Sequence, residues 1–238
     1  MEQFLHAIPA GDHWLHTSPE FALKRVLAAG LPRIYFMGPC FRDEEDGPLH
    51  TSEFTMLEWY RAGAGYREII DEVAHLLLVL CQSVGLPAPT LVHTTWKEAF
   101  ETHVGRAAPA DISEALRLWV EQVEPQLQDP TIVRDYPAEL AALAQIRGPV
   151  CERFELYWKG VELANAYTEI TDAQEAQDRW NAENEARVAA GRAPHPVDSR
   201  VLEAIARHSR AGGIAMGVDR LILVLLGLDD IRETRLEP

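Results

Sequence analysis

Some stretches of the chain carry apolar residues at the spacing of a helix, and others carry the apolar runs of β-strands. Residues 66–85 carry apolar side chains at helical spacing and end at a glycine, which predicts an amphipathic helix. Residues 17–30 predict an earlier helix, because Thr17 or Ser18 can cap it, Pro19 suits a first helical position and a glycine ends it.

Two β-hairpins are predicted from apolar and aromatic runs bounded by polar residues. Residues 33–42 and 52–63 read as strands, and the polar residues 43–51 between them form a long loop. Residues 151–170 predict a second hairpin that turns at Lys159-Gly160.

The remaining elements complete an α+β chain. Residues 172–191 have the composition of a solvent-facing helix, and residues 212–227 predict a glycine-rich strand that runs into an apolar helix. Strands in hairpins with helices in separate blocks indicate an antiparallel sheet flanked by helices. We therefore expect one domain over residues 1–238, with a variable inserted subregion at about 86–145 that has weak helical stretches near Trp96 and Leu116.

Composition indicates which partners and which cellular location to expect. The formal net charge of −15 disfavours broad nucleic-acid binding, because lysines and arginines supply most of that affinity. The apolar runs are shorter than a membrane span, and the first residues lack the pattern of a signal peptide. We therefore expect a cytoplasmic protein that does not associate with a membrane. The three cysteines are widely spaced and are expected to be reduced thiols.

Period-two alternation places ionisable groups among aromatic ones. In residues 52–63, Phe54, Met56, Glu58 and Tyr60 share one face. A buried, unpaired carboxylate there is costly, so this face is expected to meet a cationic ligand. For any single glutamate, a solvated strand face is the simpler interpretation.

The later hairpin repeats this mixture. Asn165, Tyr167 and Glu169 fall on one face, and Glu155 lies with other polar and aromatic residues on the first strand. Glu162 has the opposite parity to Asn165, so it joins the same site only if a bulge or strong twist occurs near residue 164.

Four stretches together resemble one enzyme family. "FRDEEDGPLHTSEFTMLEWY" (41–60) looks like motif 2 of class II aminoacyl-tRNA synthetases of the lysyl branch, and "GGIAMGVDRLILVLLG" (212–227) looks like motif 3. Residues 17–30 and "ERFELYWKGVELANAYTEITDAQEAQ" (152–177) are similar to other parts of that branch. Within it, the chain most resembles an N-terminally shortened form of the paralogue family that ligates lysine or β-lysine to elongation factor P.

The resemblance assigns roles to individual residues. Arg42 would hold the α-phosphate of ATP and Arg220 the γ-phosphate, as the catalytic arginines. Glu44 and His50 would contact ATP from the motif 2 loop, and Phe54 would lie against the adenine.

The acidic residues would serve the metal and the amino acid. Glu155 and Glu162 would coordinate Mg²⁺, which prefers hard oxygen ligands. Substrate-binding residues implied by the resemblance are Glu20, Glu58, Tyr60, Asn165, Tyr167, Glu169 and Ala215. The concentration of carboxylates then balances a dication and a diamine.

Three functional hypotheses stay open at this point. The first is an ATP-dependent ligase that forms a lysyl- or β-lysyl-adenylate and transfers the aminoacyl group to a lysine of elongation factor P. The second is a free-standing lysine-activating enzyme that charges tRNA or a small carrier, and the third is a synthetase-like binding module with weak catalysis. A homodimer is possible, although the family's dimer-forming motif 1 is not recognised before residue 17.

Overall fold

The computed structural model describes residues 6–43 and 46–235. Within these residues the strands are β1 (Pro9–Ala10), β2 (His13–Trp14), β3 (Arg33–Phe41), β4 (Glu53–Ala62), β5 (Val92–Thr95), β6 (Thr131–Pro137), β7 (Ile146–Arg147), β8 (Val150–Trp158), β9 (Val161–Thr168) and β10 (Ala211–Gly217). The α-helices are α1 (Glu20–Ala28), α2 (Tyr66–Ser83), α3 (Trp96–Val104), α4 (Ile112–Leu118), α5 (Ala173–Ala189), α6 (Ser199–Arg207) and α7 (Val218–Leu226).

One sheet organises the fold. Among the described residues it has eight strands in the order β3-β4-β10-β9-β8-β6-β5, with β7 paired to β8. Every pairing is antiparallel except β5 with β6, which is parallel. The predicted α+β class is therefore confirmed, and the parallel pair at the edge is an addition that the sequence did not indicate.

Both predicted hairpins are present. β3 pairs with β4 in a register that places Cys40 opposite Phe54. β8 and β9 turn at Lys159 and Gly160, whose φ values of 52° and 75° both lie in the left-handed region. Positive φ at two successive residues is the geometry of a tight hairpin turn, and glycine adopts it without steric cost.

The segment predicted as an inserted subregion extends the sheet. Its weak helical stretches form α3 and α4, and it also supplies β5 and β6. β6 pairs with β8, so the segment adds strands to the sheet as well as helices. An aromatic cluster that includes Trp96, Trp119, Tyr136 and Tyr157 packs these elements against the sheet.

The two sheet faces have different roles. α2 and α7 cover one face with a core that includes Ile69, Leu77, Ile214 and Leu221. The alternate residues of β4, β9 and β10 point to the other face, where α1 and the loop between β3 and β4 border a cavity. Sheet pleating thus separates the apolar core from the polar candidate site.

Candidate active site

A cavity of about 400 Å³ lies over the centre of the sheet. Its walls come from α1, β4, β9, β10, the start of α7 and the loop between β3 and β4. Eleven of the residues selected from the sequence line it: Glu20, Arg42, His50, Phe54, Glu58, Tyr60, Glu162, Asn165, Tyr167, Ala215 and Arg220. Glu155 and Glu169 are not in the lining, and Glu44 lies outside the described residues.

Glu58 is the buried acid of the cavity wall, with 1% of its surface exposed. Its carboxylate accepts hydrogen bonds from the hydroxyls of Tyr60 and Ser18, each at 2.7 Å, and these are its partners among the described residues. Burial, together with the charge of Glu20, raises the pKa of Glu58 to about 8. At neutral pH this carboxyl group therefore favours its protonated form, and a bound cation would favour its ionised form.

Lys24 lies behind this wall and was not selected from the sequence. Its ammonium contacts Oε1 of Glu20 at 2.6 Å and Oε2 of Glu169 at 2.8 Å, and its side chain is fully buried. Burial opposes its charge, but the two carboxylates raise the pKa of Lys24 above its ordinary value. The spacing of Glu20 and Lys24 on one helix indicates their contact, whereas the contact with Glu169 depends on the tertiary fold.

Ser18 links the start of α1 to the acid. Its hydroxyl accepts a hydrogen bond from the backbone N–H of Glu20 at 3.0 Å and donates one to Glu58. The N-cap of α1 is Pro19 and makes no side-chain cap hydrogen bond, so the predicted cap at Thr17 or Ser18, with Pro19 inside the helix, is wrong by one position. Ser18 instead bonds to the first helical N–H and orients a cavity carboxylate.

Gly213 allows close packing at the acidic wall, which is the part of the cavity lining that contains Glu20, Glu58 and Tyr60. A Cβ at this position would lie 2.3 Å from Oε1 of Glu169 and 2.3 Å from a ring carbon of Tyr60. Both distances are far below van der Waals contact, so a side chain here would displace Glu169 or Tyr60. The glycine is thus required by the close approach of the two side chains.

Basic residues line the other part of the cavity. The guanidinium of Arg42 lies 4.9 Å from the ring centroid of Phe54, a cation–π geometry. Arg220 contacts the carbonyl of Leu49 at 3.2 Å, the carbonyl of Glu162 at 3.0 Å and Nε2 of His50 at 2.6 Å. These contacts join α7 and β9 to the loop between β3 and β4, and they place two guanidiniums in the lining of a single cavity.

A β-bulge brings Glu162 into the cavity wall. Leu156 pairs with Ala164, whereas Tyr157 pairs with Glu162, so Leu163 is an extra residue in β9. The inserted residue reverses the parity, and Glu162 therefore lies on the same side as Asn165. The conditional prediction of a bulge near residue 164 is confirmed.

Glu155 points into a polar cluster outside the lining. The hydroxyls of Tyr136 and Tyr157 each donate to its Oε2 at 2.5 Å, and Arg153 contacts its Oε1 at 2.5 Å. Arg153 also donates from Nε to Oδ1 of Asn165 at 3.0 Å, which leaves the amide nitrogen of Asn165 facing Tyr167. In this arrangement Glu155 supports the wall through Arg153.

Of the two glutamates predicted to coordinate Mg²⁺, one is well placed for that role and the other is not. Within residues 6–43 and 46–235, three or more His, Cys, Asp or Glu side chains nowhere converge as a metal site. Mg²⁺ commonly takes only one or two carboxylates and completes its shell with phosphates and water, and Glu162 in the cavity wall can supply one such ligand. Glu155 would first have to exchange its three hydrogen bonds, so its role as a ligand stays a prediction that this arrangement does not favour.

In the described part of the chain, no helix combines the length and the apolar content that crossing a membrane requires. The expected cytoplasmic location and the homodimer stay predictions.

Comparisons with known proteins agree with this geometry. The family described as tRNA synthetases class II (D, K and N) matches residues 3–238. Proteins named elongation factor P–(R)-β-lysine ligase are similar to this chain: 40% identical in Histophilus somni strain 2336, 39% in Proteus mirabilis strain HI4320 and 38% in Vibrio vulnificus strain YJ016. Each alignment covers 92% of this chain and 75 or 76% of the relative. The family and fold predicted from the sequence are confirmed, and the chain belongs to the class II tRNA synthetases of the D, K and N group.

Proposed function

We propose that this chain activates lysine or β-lysine with ATP and transfers the aminoacyl group to a lysine side chain of elongation factor P. The observation that carries the proposal is one cavity lined both by two arginines and by three glutamates: Glu20, Glu58 and Glu162. The arginines suit a polyphosphate, and the carboxylates suit a substrate with two amines. The names of the relatives supply the acceptor and the preference for a β-amino acid.

Adenylate formation would follow from the placement of these groups. The substrate carboxylate attacks the α-phosphorus of ATP, a phosphorus–oxygen bond to pyrophosphate breaks, and the aminoacyl-adenylate forms. Arg42 binds the α-phosphate and Arg220 the γ-phosphate, so that charge developing on phosphate oxygens is stabilised in a preorganised site. Phe54 lies against the adenine, and His50, in contact with Arg220, orients the triphosphate end. Mg²⁺, held by Glu162 and phosphates, would neutralise phosphate charge.

The amino acid would be held by the acidic wall. Glu20 receives the amine near the carboxylate, and Glu58 with Tyr60 receives the ammonium at the end of the side chain. Asn165, Tyr167 and Ala215 shape the remaining wall. In the second step the neutral amine of an acceptor lysine attacks the carbonyl carbon and AMP leaves.

The acceptor can be identified by intact mass. Purified elongation factor P is incubated with this chain, ATP, Mg²⁺ and either lysine or (R)-β-lysine, with reactions lacking ATP as controls. We expect a mass increase of one lysyl residue that depends on ATP. An unchanged mass together with aminoacylated tRNA would instead support the tRNA-charging alternative, although the net charge of −15 disfavours it.

Binding of the diamino acid should release a proton from Glu58. Its pKa of about 8 should fall when an ammonium binds, because the cation favours the carboxylate. We expect release of nearly one proton at about pH 6.5, and affinity that rises with pH up to about 8. Calorimetry of lysine binding in buffers of different ionisation enthalpy measures this number.

The control for this measurement is Glu58→Gln, which should lose that part of the proton release. Glu20, Glu169 and Lys24 remain in the variant and report the background. Equal proton release by the variant and the unmodified chain would contradict the assignment to Glu58.

A further inference from the structure

Lys24 is the internal cation of the acidic wall. It follows Glu20 by one helical turn on α1, and its Nζ reaches across to Glu169, which follows the end of β9. The Lys24 and Glu169 side chains are both fully buried, whereas Glu20 keeps 20% of its side chain exposed. The cation therefore connects a residue of the cavity lining to one behind it.

The contacts of Lys24 favour the ionised form of both partners. A buried ammonium is costly unless it is paired, and the two carboxylates provide that pairing at hydrogen-bond distance. Burial favours the neutral form of Glu20, but Lys24 brings the pKa of Glu20 below its ordinary value. Burial raises the pKa of Glu169 to about 7, and Lys24 limits this rise. Without the cation, the two acids would be expected to take up a proton.

Glu58 differs from these two acids. Its partners among the described residues are the neutral hydroxyls of Ser18 and Tyr60. If Glu20, Glu58 and Glu169 are all ionised, their three negative charges and the positive charge of Lys24 leave a net charge that two ammonium groups would balance. A diamino acid brings two ammonium groups, and the arginines lie elsewhere in the lining to meet the anionic groups.

We propose that Lys24 is a positioning residue for diamino-acid recognition: it holds Glu20 and Glu169 in fixed orientations, favours their ionised forms and leaves Glu58 as the acid that receives the side-chain ammonium. The ammonium of Lys24 lies 2.8 Å from Oε2 of Glu169, and Oε1 of the same carboxylate lies beside Gly213. The inference rests on the proposed function and deepens it, since it separates the roles of Glu58 and Glu169.

Charged and titratable groups from several elements surround Lys24 and enter any pH profile. They are Glu20 on α1, Glu58 and Tyr60 on β4, Glu169 after β9 and His208 after α6. Burial lowers the pKa of His208, so this residue adds no competing cation at neutral pH.

The test compares Lys24→Met with Lys97→Met. Lys97 also pairs with a glutamate four residues away, at 3.9 Å, but its side chain is 78% exposed. For Lys24→Met we expect lysine to bind about tenfold or more weakly by calorimetry, while the KM for ATP in pyrophosphate exchange changes by less than about twofold. Lysine binding should also release about one additional proton, because the acid pair then has a proton to lose. Lys97→Met should match the unmodified chain in all three measurements.

A second variant separates positioning from folding. Lys24→Met combined with Glu169→Gln removes the cation and one acid together, so no unpaired charge stays fully buried and the melting temperature should recover. Lysine binding should stay weak, because Glu20 still lacks its partner. Recovery of both stability and lysine affinity would show that Lys24 only supports the fold and would overturn the proposal.

The outcomes also distinguish this proposal from the proposed function. If the unmodified chain neither binds lysine or (R)-β-lysine nor supports pyrophosphate exchange, the proposed function fails. If the unmodified chain is active and Lys24→Met retains its lysine affinity and proton release, the function stands and the role of Lys24 is rejected.

Discussion

Replacement of Arg220 by alanine is expected to reduce lysine-dependent ATP–pyrophosphate exchange by about 10²- to 10³-fold, the usual effect of removing one donor to charge that develops in a transition state. Its guanidinium belongs to the cavity lining and bonds to two carbonyls and to His50. Alanine removes the charge and all these contacts, so kcat should fall more than the affinity for lysine. The rate of label exchange between pyrophosphate and ATP measures this loss.

Two further variants make the result specific. Arg220→Lys keeps a positive charge but not the planar, forked arrangement of donors, and we expect it to recover only part of the rate. Arg117→Ala removes an exposed arginine whose contact is Glu121 on the following turn, and its rate should be unchanged. Exchange by Arg220→Ala at the rate of the Arg117 control would exclude Arg220 from phosphate binding.

Replacement of Glu58 by glutamine is expected to lower kcat/KM for lysine by about 10²-fold, because truncating one partner of a buried charge pair typically costs 2–5 kcal/mol. Glutamine has nearly the same shape and keeps an acceptor for Ser18 or Tyr60, but it cannot neutralise an ammonium. The KM for ATP should change little, since the arginines are untouched. The melting temperature should not fall at neutral pH, because an acid whose pKa is raised in the folded state destabilises that state above its ordinary pKa, and glutamine removes this cost.

Glu53→Gln is the matched control for Glu58. Glu53 begins the same strand, is exposed, and lies on the opposite face by parity. Pyrophosphate exchange at several lysine and ATP concentrations separates the two KM values. A parallel loss of lysine and ATP use by Glu58→Gln would indicate that the residue maintains the fold rather than recognising the amine.

Strand periodicity predicted which residues of β4 share a face. The alternation in β4 correctly grouped Phe54, Glu58 and Tyr60, because side-chain direction in a strand depends on local geometry alone. The same local rule identified the need for a bulge at Glu162, since parity is lost only when one strand carries an extra residue.

Periodicity could not predict how far across the sheet a residue lies from the cavity. Glu155 is directly paired with Asn165, yet its carboxylate turns toward Tyr136 on β6. The arrival of β6 beside β8 follows from long-range pairing of a segment whose strands were not recognised. The contact of Lys24 with Glu169 likewise joins residues far apart in the chain. Such contacts require the packed fold, so sequence alone gave Lys24 no role.

We propose that one cavity receives both a nucleotide phosphate beside Arg42 and a side-chain ammonium beside Glu58. A crystal structure of this chain with a non-hydrolysable lysyl-adenylate analogue, in which a sulfamoyl group replaces the phosphate, tests it most directly. We expect the side-chain ammonium at about 3 Å from the Glu58 carboxylate, with the sulfamoyl group at hydrogen-bond distance from Arg42. An analogue bound outside this cavity, or an ammonium that contacts neither Glu58 nor Tyr60, would contradict it.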